Sequence, residues 1–330
     1  VSTETKPSRI LIRSTNWLGD AVMSIPAVAA IKRGHPDARV AVLTRGKLSD
    51  LWKTVPQVDE VISASAGESV FSVASKIAGK FDLAVVFPNS VRAAMEVFLA
   101  RIPRRAGYHS KWRSRLLDEI VGEPATTRPP EHQMHHYLRL AESVGADIAN
   151  PDSIFSPEKA PAARDSDGAI KIGLCPGADY GAAKRWLPER FAAVAREVSA
   201  RRACQWMIFG TAQDTAIGEL IAGDLKDNCT NLIGKTTLAG LIDAIKQCRL
   251  LLTNDTGTMH LAAYLKVPTV SIFGSTEPAL TGPIGPHHRV LRHHVECSPC
   301  FLRRCPLDFR CMKAIEVDEV VEAVIRALEK

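Results

Sequence analysis

The sequence predicts a parallel α/β protein of two domains, and three observations predict it. Short runs of Ile, Val and Leu recur without polar alternation, the pattern of strands covered by helices on both faces. Helix-patterned segments separate those runs, so strand and helix alternate in two successive sets. The chain has 330 residues, enough for two cores at about 150 residues per domain.

In the first set the runs Ile10 to Ile12, Val40 to Leu43 and Leu83 to Phe87 read as strands, with helices at Pro26 to Lys32 and Ser69 to Ala78. In the second, strands are expected at Ile172 to Leu174, Trp206 to Phe209, Leu250 to Leu252 and Thr269 to Phe273. Its helices are expected at Pro188 to Ala200, Thr215 to Leu225, Leu238 to Gln247 and Thr258 to Leu265. Ser156 to Ala169 is polar, contains prolines and lacks periodicity, so it reads as the linker, and the domains are drawn as 1–160 and 161–330. Val317 to Leu328 is an amphipathic helix whose apolar side suits either domain.

Composition narrows the function classes. Hydrophobic residues make up 46% and charged residues 24%, with 21 Gly and 20 Pro, which excludes disordered and collagenous chains. Forty-two Lys and Arg against 36 Asp and Glu leave a net charge of +6. That permits an anionic substrate or membrane surface but falls short of arguing for nucleic acid. No apolar run approaches the roughly 18 residues of a bilayer span, and Val1 to Arg9 lacks the apolar core of a signal peptide, so a cytoplasmic location is expected.

In open parallel sheets ligands sit beyond the carboxyl ends of strands. The candidates there are Asn16 to Asp20, Asn89, Ser90, Pro176 to Lys184, Gly210, Asp255 to Gly257 and Gly274. Two such half-sites on facing domains would form a cleft for two substrates. The sharpest motif is LLLTNDTGTMHLAAYL, Leu250 to Leu265: a strand, a turn with Asp255, Thr256 and Gly257, then a helix whose N-terminus suits phosphate. The plain alternative makes Asp255 or Thr256 an N-cap and His260 a core residue. In LCPGADYGAAKRW, Leu174 to Trp186, Gly177 and Gly181 free the backbone, while Lys184 and Arg185 bring positive charge or remain solvated surface. In RSTNWLGDAVMSIPAV, Arg13 to Val28, Asp20 is the one acid and reads as a general base or as a helix cap. Pro26 forces the helix there to start late or bend. Ile233 to Thr236 ends like a P-loop, but Cys229 stands where its first glycine belongs, and no G-x-G-x-x-G follows either first strand.

Taken together, NWLGDAVMSIPA (Asn16 to Ala27), VVFPNSVRAA (Val85 to Ala94), CPGADYGAAKRW (Cys175 to Trp186) and TNDTGTMHLAA (Thr253 to Ala263) resemble the ADP-heptose:lipopolysaccharide heptosyltransferases, most closely the heptosyltransferase II branch. The resemblance implies a GT-B fold, two Rossmann-like domains facing a central cleft, with the acceptor on the first and ADP-heptose on the second. It implies inverting transfer of a second heptose to the heptosylated Kdo-lipid A inner core, at the cytoplasmic face of the inner membrane. By motif, Asp20 matches the catalytic base, Lys184 the donor-phosphate lysine, Thr256 and Gly257 the diphosphate turn, and Asp255 the acid that binds heptose hydroxyls. His260 matches a histidine of open role, and Thr236, more loosely, an adenine contact. Gly177 and Gly210 complete the expected donor set.

One carboxylate suffices for a single inverting displacement, and Lys184 with a helix dipole replaces the metal that neutralises diphosphate in other transferases, so no cofactor is expected to be required. For the acidic acceptor the expected ligands are Asn16, Trp17, Asn89 and Ser90 with Arg104, Arg105, Lys111 and Arg113 of the dense basic run Arg101 to Arg115. That run also suits anionic lipid headgroups, and its plain alternative is a solvated face. Cys297, Cys300, Cys305 and Cys311 read C-x2-C-x4-C-x5-C, either reduced thiols in a loop or ligands for structural zinc or an iron-sulfur centre. Competing readings are heptosyltransferase I or III, a sugar-nucleotide epimerase on the same scaffold, and a non-enzymatic nucleic-acid binder; the last leaves the strand-end motifs unexplained.

Overall fold

The computed structural model describes residues 6–122, 130–155 and 170–329. The chain forms two compact units, Val1–Ser153 and Ile154–Lys330. The linker expected at Ser156 to Ala169 lies outside the described residues.

The first unit carries strands β1 (Arg9–Arg13), β2 (Arg39–Arg45), β3 (Glu60–Ala64), β4 (Leu83–Val86), β5 (Arg104–Tyr108) and β6 (Glu119–Val121). Its helices are α1 (Leu18–Met23), α2 (Ile25–Gly34), α3 (Ser49–Lys53), α4 (Val70–Ile77), α5 (Val91–Leu99) and α6 (Gln133–Glu142). The second unit carries β7 (Ile170–Cys175), β8 (Cys204–Ile208), β9 (Cys229–Asn231), β10 (Leu250–Asn254), β11 (Thr269–Ile272) and β12 (His288–Leu291). With them go α7 (Pro188–Arg201), α8 (Thr215–Leu225), α9 (Leu238–Lys246), α10 (Gly257–Tyr264), α11 (Pro278–Thr281), α12 (Arg310–Lys313) and α13 (Val317–Leu328).

Both sheets are parallel, in the orders β3-β2-β1-β4-β5-β6 and β12-β11-β10-β7-β8-β9. Counted within its own unit, each order is that of a doubly wound Rossmann sheet. The order reverses between β1 and β4 in the first sheet, where Ile10 pairs with Val40 on one side and Leu83 on the other. In the second it reverses between β7 and β10, where Leu250 pairs with Ile172. Loops after those four strands therefore splay apart and leave room for ligands.

The seven apolar runs are the inner strands β1, β2, β4, β7, β8, β10 and β11, buried because helices cover both faces. The strands without such a signal are the four sheet edges β3, β6, β9 and β12, together with β5, whose opening arginines mask it. Around Pro26 the helix breaks at Ser24: α1 ends at Met23, and Pro26 sits in the first turn of α2, where a missing N–H costs nothing. The final helix α13 belongs to the second unit. Its Val320, Val321 and Val324 enter the core with Trp186, Phe191 and Ile272, and it rests on α7, β10 and β11.

Candidate functional site

In the first unit the switch point is lined by the β1–α1 turn and the loop after β4. Asp20 stands in the first turn of α1, half-buried, with Tyr137 Oη donating to its Oδ1 at 3.2 Å. It is not a cap: Trp17 occupies the N-cap position and no side chain caps that end. The turn is held from below by Arg13, whose Nε meets Glu96 Oε2 at 2.6 Å, both groups almost wholly buried. Arg92 Nε meets the other oxygen, Glu96 Oε1, at 3.1 Å, so removing Glu96 would strand the buried Arg13 charge and this cluster ties the end of β1 to α5. Asn16 Oδ1 accepts from Arg45 Nε at 3.3 Å, and Trp17 is exposed beneath Lys47. Ser90 caps α5 by accepting from Ala93 N at 3.2 Å, and Asn89 is exposed beside it.

The basic run is not the uniform cationic face expected. Arg113 is wholly buried: its Nη2 donates to Val86 O at 2.9 Å, and its Nη1 serves Tyr108 O and Asn89 Oδ1. Burial lowers its pKa to about 10, still charged at neutral pH. It braces the β4 and β5 loops from inside and is not a surface ligand for the acceptor, because the carbonyls that the loops leave unpaired need its donors. Arg104 and Arg105 lie on β5, paired with Glu119 at 2.6 Å and Asp118 at 2.8 Å, so their charge is largely spent within the sheet. Lys111 and Trp112 remain exposed, with Arg115 over the Trp112 ring.

In the second unit the expected donor residues converge. Lys184 Nζ meets Asp255 Oδ2 at 2.6 Å, and Thr276 Oγ1 donates to the same oxygen at 2.6 Å. Thr256 is the N-cap of α10 and accepts from Thr258 N at 3.1 Å, so the capping alternative holds for Thr256 while Asp255 serves the lysine. Gly257 opens the helix and His260 is buried one turn in. A Cβ at Gly177 would lie 2.5 Å from Asp214 Oδ2, and Gly210 flanks that same carboxylate, so both glycines make room for it. Asp214 accepts from Thr211 N and Oγ1 and pairs with Arg185 at 3.1 Å. Thr236 is half-buried before α9, whose cap is its neighbour Thr237. Burial pushes the Cys175 thiol, at the end of β7, up to about 11. It stays protonated at neutral pH and supplies no nucleophile.

Three comparisons bear on this geometry. The model of glycosyltransferase family 9 (heptosyltransferase) matches residues 70–309. The chain belongs to glycosyltransferase family 9. It is 29% identical to a lipooligosaccharide heptosyltransferase 2 of Haemophilus ducreyi, over 86% of this chain and 88% of that one. With a lipooligosaccharide heptosyltransferase 2 of Campylobacter jejuni the identity is 30%, over 95% and 96%. The solved structure of ADP-heptose LPS heptosyltransferase II from Escherichia coli superposes with a TM-score of 0.77 at 26% identity, covering 97% of this chain and 98% of that one. The fold is therefore GT-B and the protein is a glycosyltransferase.

In this family 9 enzyme three further side chains belong to the sites: Tyr137, Thr276 and Asn254. Asn254 Nδ2 donates to Pro176 O at 2.7 Å while its Oδ1 accepts from Trp186 N at 3.0 Å. Its place inside TNDTG was the available signal; Tyr137 and Thr276 lie far along the chain from the acids they serve and carried none. The cysteine segment is tied to the loop after β11, with Cys300 N and Phe301 N both donating to Ser275 O. Cys311 is buried, and burial with the neighbouring thiols pushes its pKa up. Among the described residues no three His, Cys, Asp or Glu side chains are arranged to hold a metal ion.

Proposed function

We propose that the protein is a heptosyltransferase II, moving L-glycero-D-manno-heptose from ADP-heptose to the first heptose of the lipopolysaccharide inner core with inversion. The observation that carries this reading is its likeness, over nearly the whole chain, to proteins named heptosyltransferase 2. In the chemistry this requires, Asp20 takes the proton of the acceptor hydroxyl as that oxygen attacks the anomeric carbon. The C–O bond to ADP breaks in the same displacement, and the electron pair leaves with the β-phosphate. The N–H groups of Thr256 and Gly257 at the start of α10, with Lys184, stabilise the charge growing on that phosphate. Asp255 holds Lys184 in place and offers its carboxylate to heptose hydroxyls. Fixed positive groups in this number support a reaction without a metal cofactor.

Lys111 and Arg115 supply cations for the phosphorylated acceptor, and exposed Trp112 beside them suits the bilayer interface. We assign the enzyme a cytoplasmic place against an anionic inner-membrane surface. No helix among the described residues is long and apolar enough to cross a membrane.

The test is incubation with ADP-heptose and acceptors bearing no heptose, one or two, followed by mass analysis. Transfer to the one-heptose acceptor alone is expected; transfer only to the bare acceptor or to the two-heptose acceptor would reassign the enzyme as heptosyltransferase I or III. Asp20→Asn should cut turnover by roughly 10²–10⁴-fold while ADP binding, read by calorimetry, stays within about twofold. Lys184→Ala should instead raise the donor KM about tenfold or more.

A further inference from the structure

Tyr137 is a buried phenol that the roles above do not use. It lies on α6, only 3% exposed, with the Phe87 ring 5.3 Å away and His136 edge-on at 5.8 Å. His136 is itself held, stacked on Tyr108 at 3.9 Å, while Tyr108 Oη donates to His136 O at 2.7 Å. This aromatic group fixes the face of α6 that meets α1 and delivers the Tyr137 hydroxyl to Asp20 Oδ1 across 117 residues of chain. Burial, and then the charge of Asp20, push the phenol well above its ordinary 10. At any pH used for assay it keeps its proton, so toward Asp20 it acts as a donor.

We infer that Tyr137 is a positioning residue for the base: its hydroxyl anchors Oδ1 of Asp20 and so sets the plane from which the carboxylate meets the acceptor hydroxyl. This rests on the reading of Asp20 as the base. An Asp side chain on a half-exposed helical turn has two rotatable bonds, and a base that wanders loses the alignment on which proton transfer depends. The same hydrogen bond favours the ionised carboxylate, so its loss raises the pH at which the base becomes competent.

Tyr137→Phe removes the hydroxyl and keeps the ring. In the full-length enzyme with ADP-heptose and the one-heptose acceptor, kcat should fall about ten- to a hundredfold, while the donor KM stays within about twofold. The acid limb of the kcat/KM profile should move upward by roughly half to one pH unit. Rates are divided by the folded fraction, read by circular dichroism at each assay pH, so that the corrected limb separates positioning from a structural role. Unchanged kcat with an unmoved limb overturns the proposal, and so does a fall in kcat with the limb unmoved. Asp20→Asn is run beside it. Full turnover there would overturn the base reading and this proposal together, whereas lost turnover there with a normal Phe variant removes the proposal alone.

Discussion

Arg113 and Lys111 sit two positions apart in the same basic run and do opposite things. The first is wholly buried among backbone carbonyls of the β4 and β5 loops, and the second is exposed. Arg113→Ala should therefore destabilise the protein by about 2–4 kcal/mol, since several buried acceptors lose a charged donor at once. Lys111→Ala should change stability by less than about 0.5 kcal/mol and weaken only the acceptor. Urea denaturation of both variants beside acceptor KM checks the contrast, and equal stability losses would refute it. In sequence the two residues were indistinguishable, because nothing in the run shows that the Arg113 guanidinium reaches Val86 O, 27 positions away, by passing over Gly107, where a Cβ would lie 2.5 Å from its Nη2. Asp20, Lys184 and Asp255 were legible because each lies in the segment that leaves the carboxyl end of an apolar strand. Tyr137 was not, since its partner is a hydrogen bond between helices α1 and α6.

At the scale of elements, legibility followed burial. Inner strands announce themselves because both faces must be apolar, while the edges β3, β6, β9 and β12 carry mixed residues that resemble loops. The loop after β7 shows a different constraint. Its Gly177 faces the Asp214 carboxylate, so Gly177→Ala should cost about 1–3 kcal/mol and raise the donor KM by disturbing the Arg185–Asp214 pair. Gly223, inside α8, has nothing within 4 Å of its would-be Cβ, and Gly223→Ala should stabilise by about 0.4–1 kcal/mol. Thermal melts of the two variants should thus move in opposite directions; two losses would show the loop is no tighter than the helix.

For the molecule as a whole, pH bears on stability through His288 on β12. Burial, aided by the charge of His287, lowers its pKa from 6.5 to about 4, and its Nδ1 lies 3.1 Å from Thr269 Oγ1. Between those values the unfolded chain takes up the proton and the folded one does not. Stability is then lost as pH falls from about 6.5 toward 4, by at most about 3 kcal/mol. His288→Gln should flatten that slope in urea midpoints measured at pH 7.5 and 5, and an unchanged slope would place the titration elsewhere. The two sheets repeat one strand order, which made the two-unit plan readable from alternation alone. At the second switch point the Asn254 carboxamide grips the loop after β7 at Pro176 and again at Trp186, joining that loop to β10. The loop is thereby a hoop with both feet nailed to one amide. Its crown is tied as well, since Tyr180 Oη donates to Phe301 O at 2.8 Å and Ala183 N to Arg303 O at 3.1 Å. Lys184, two residues from the anchored end, is therefore held rigidly against Asp255.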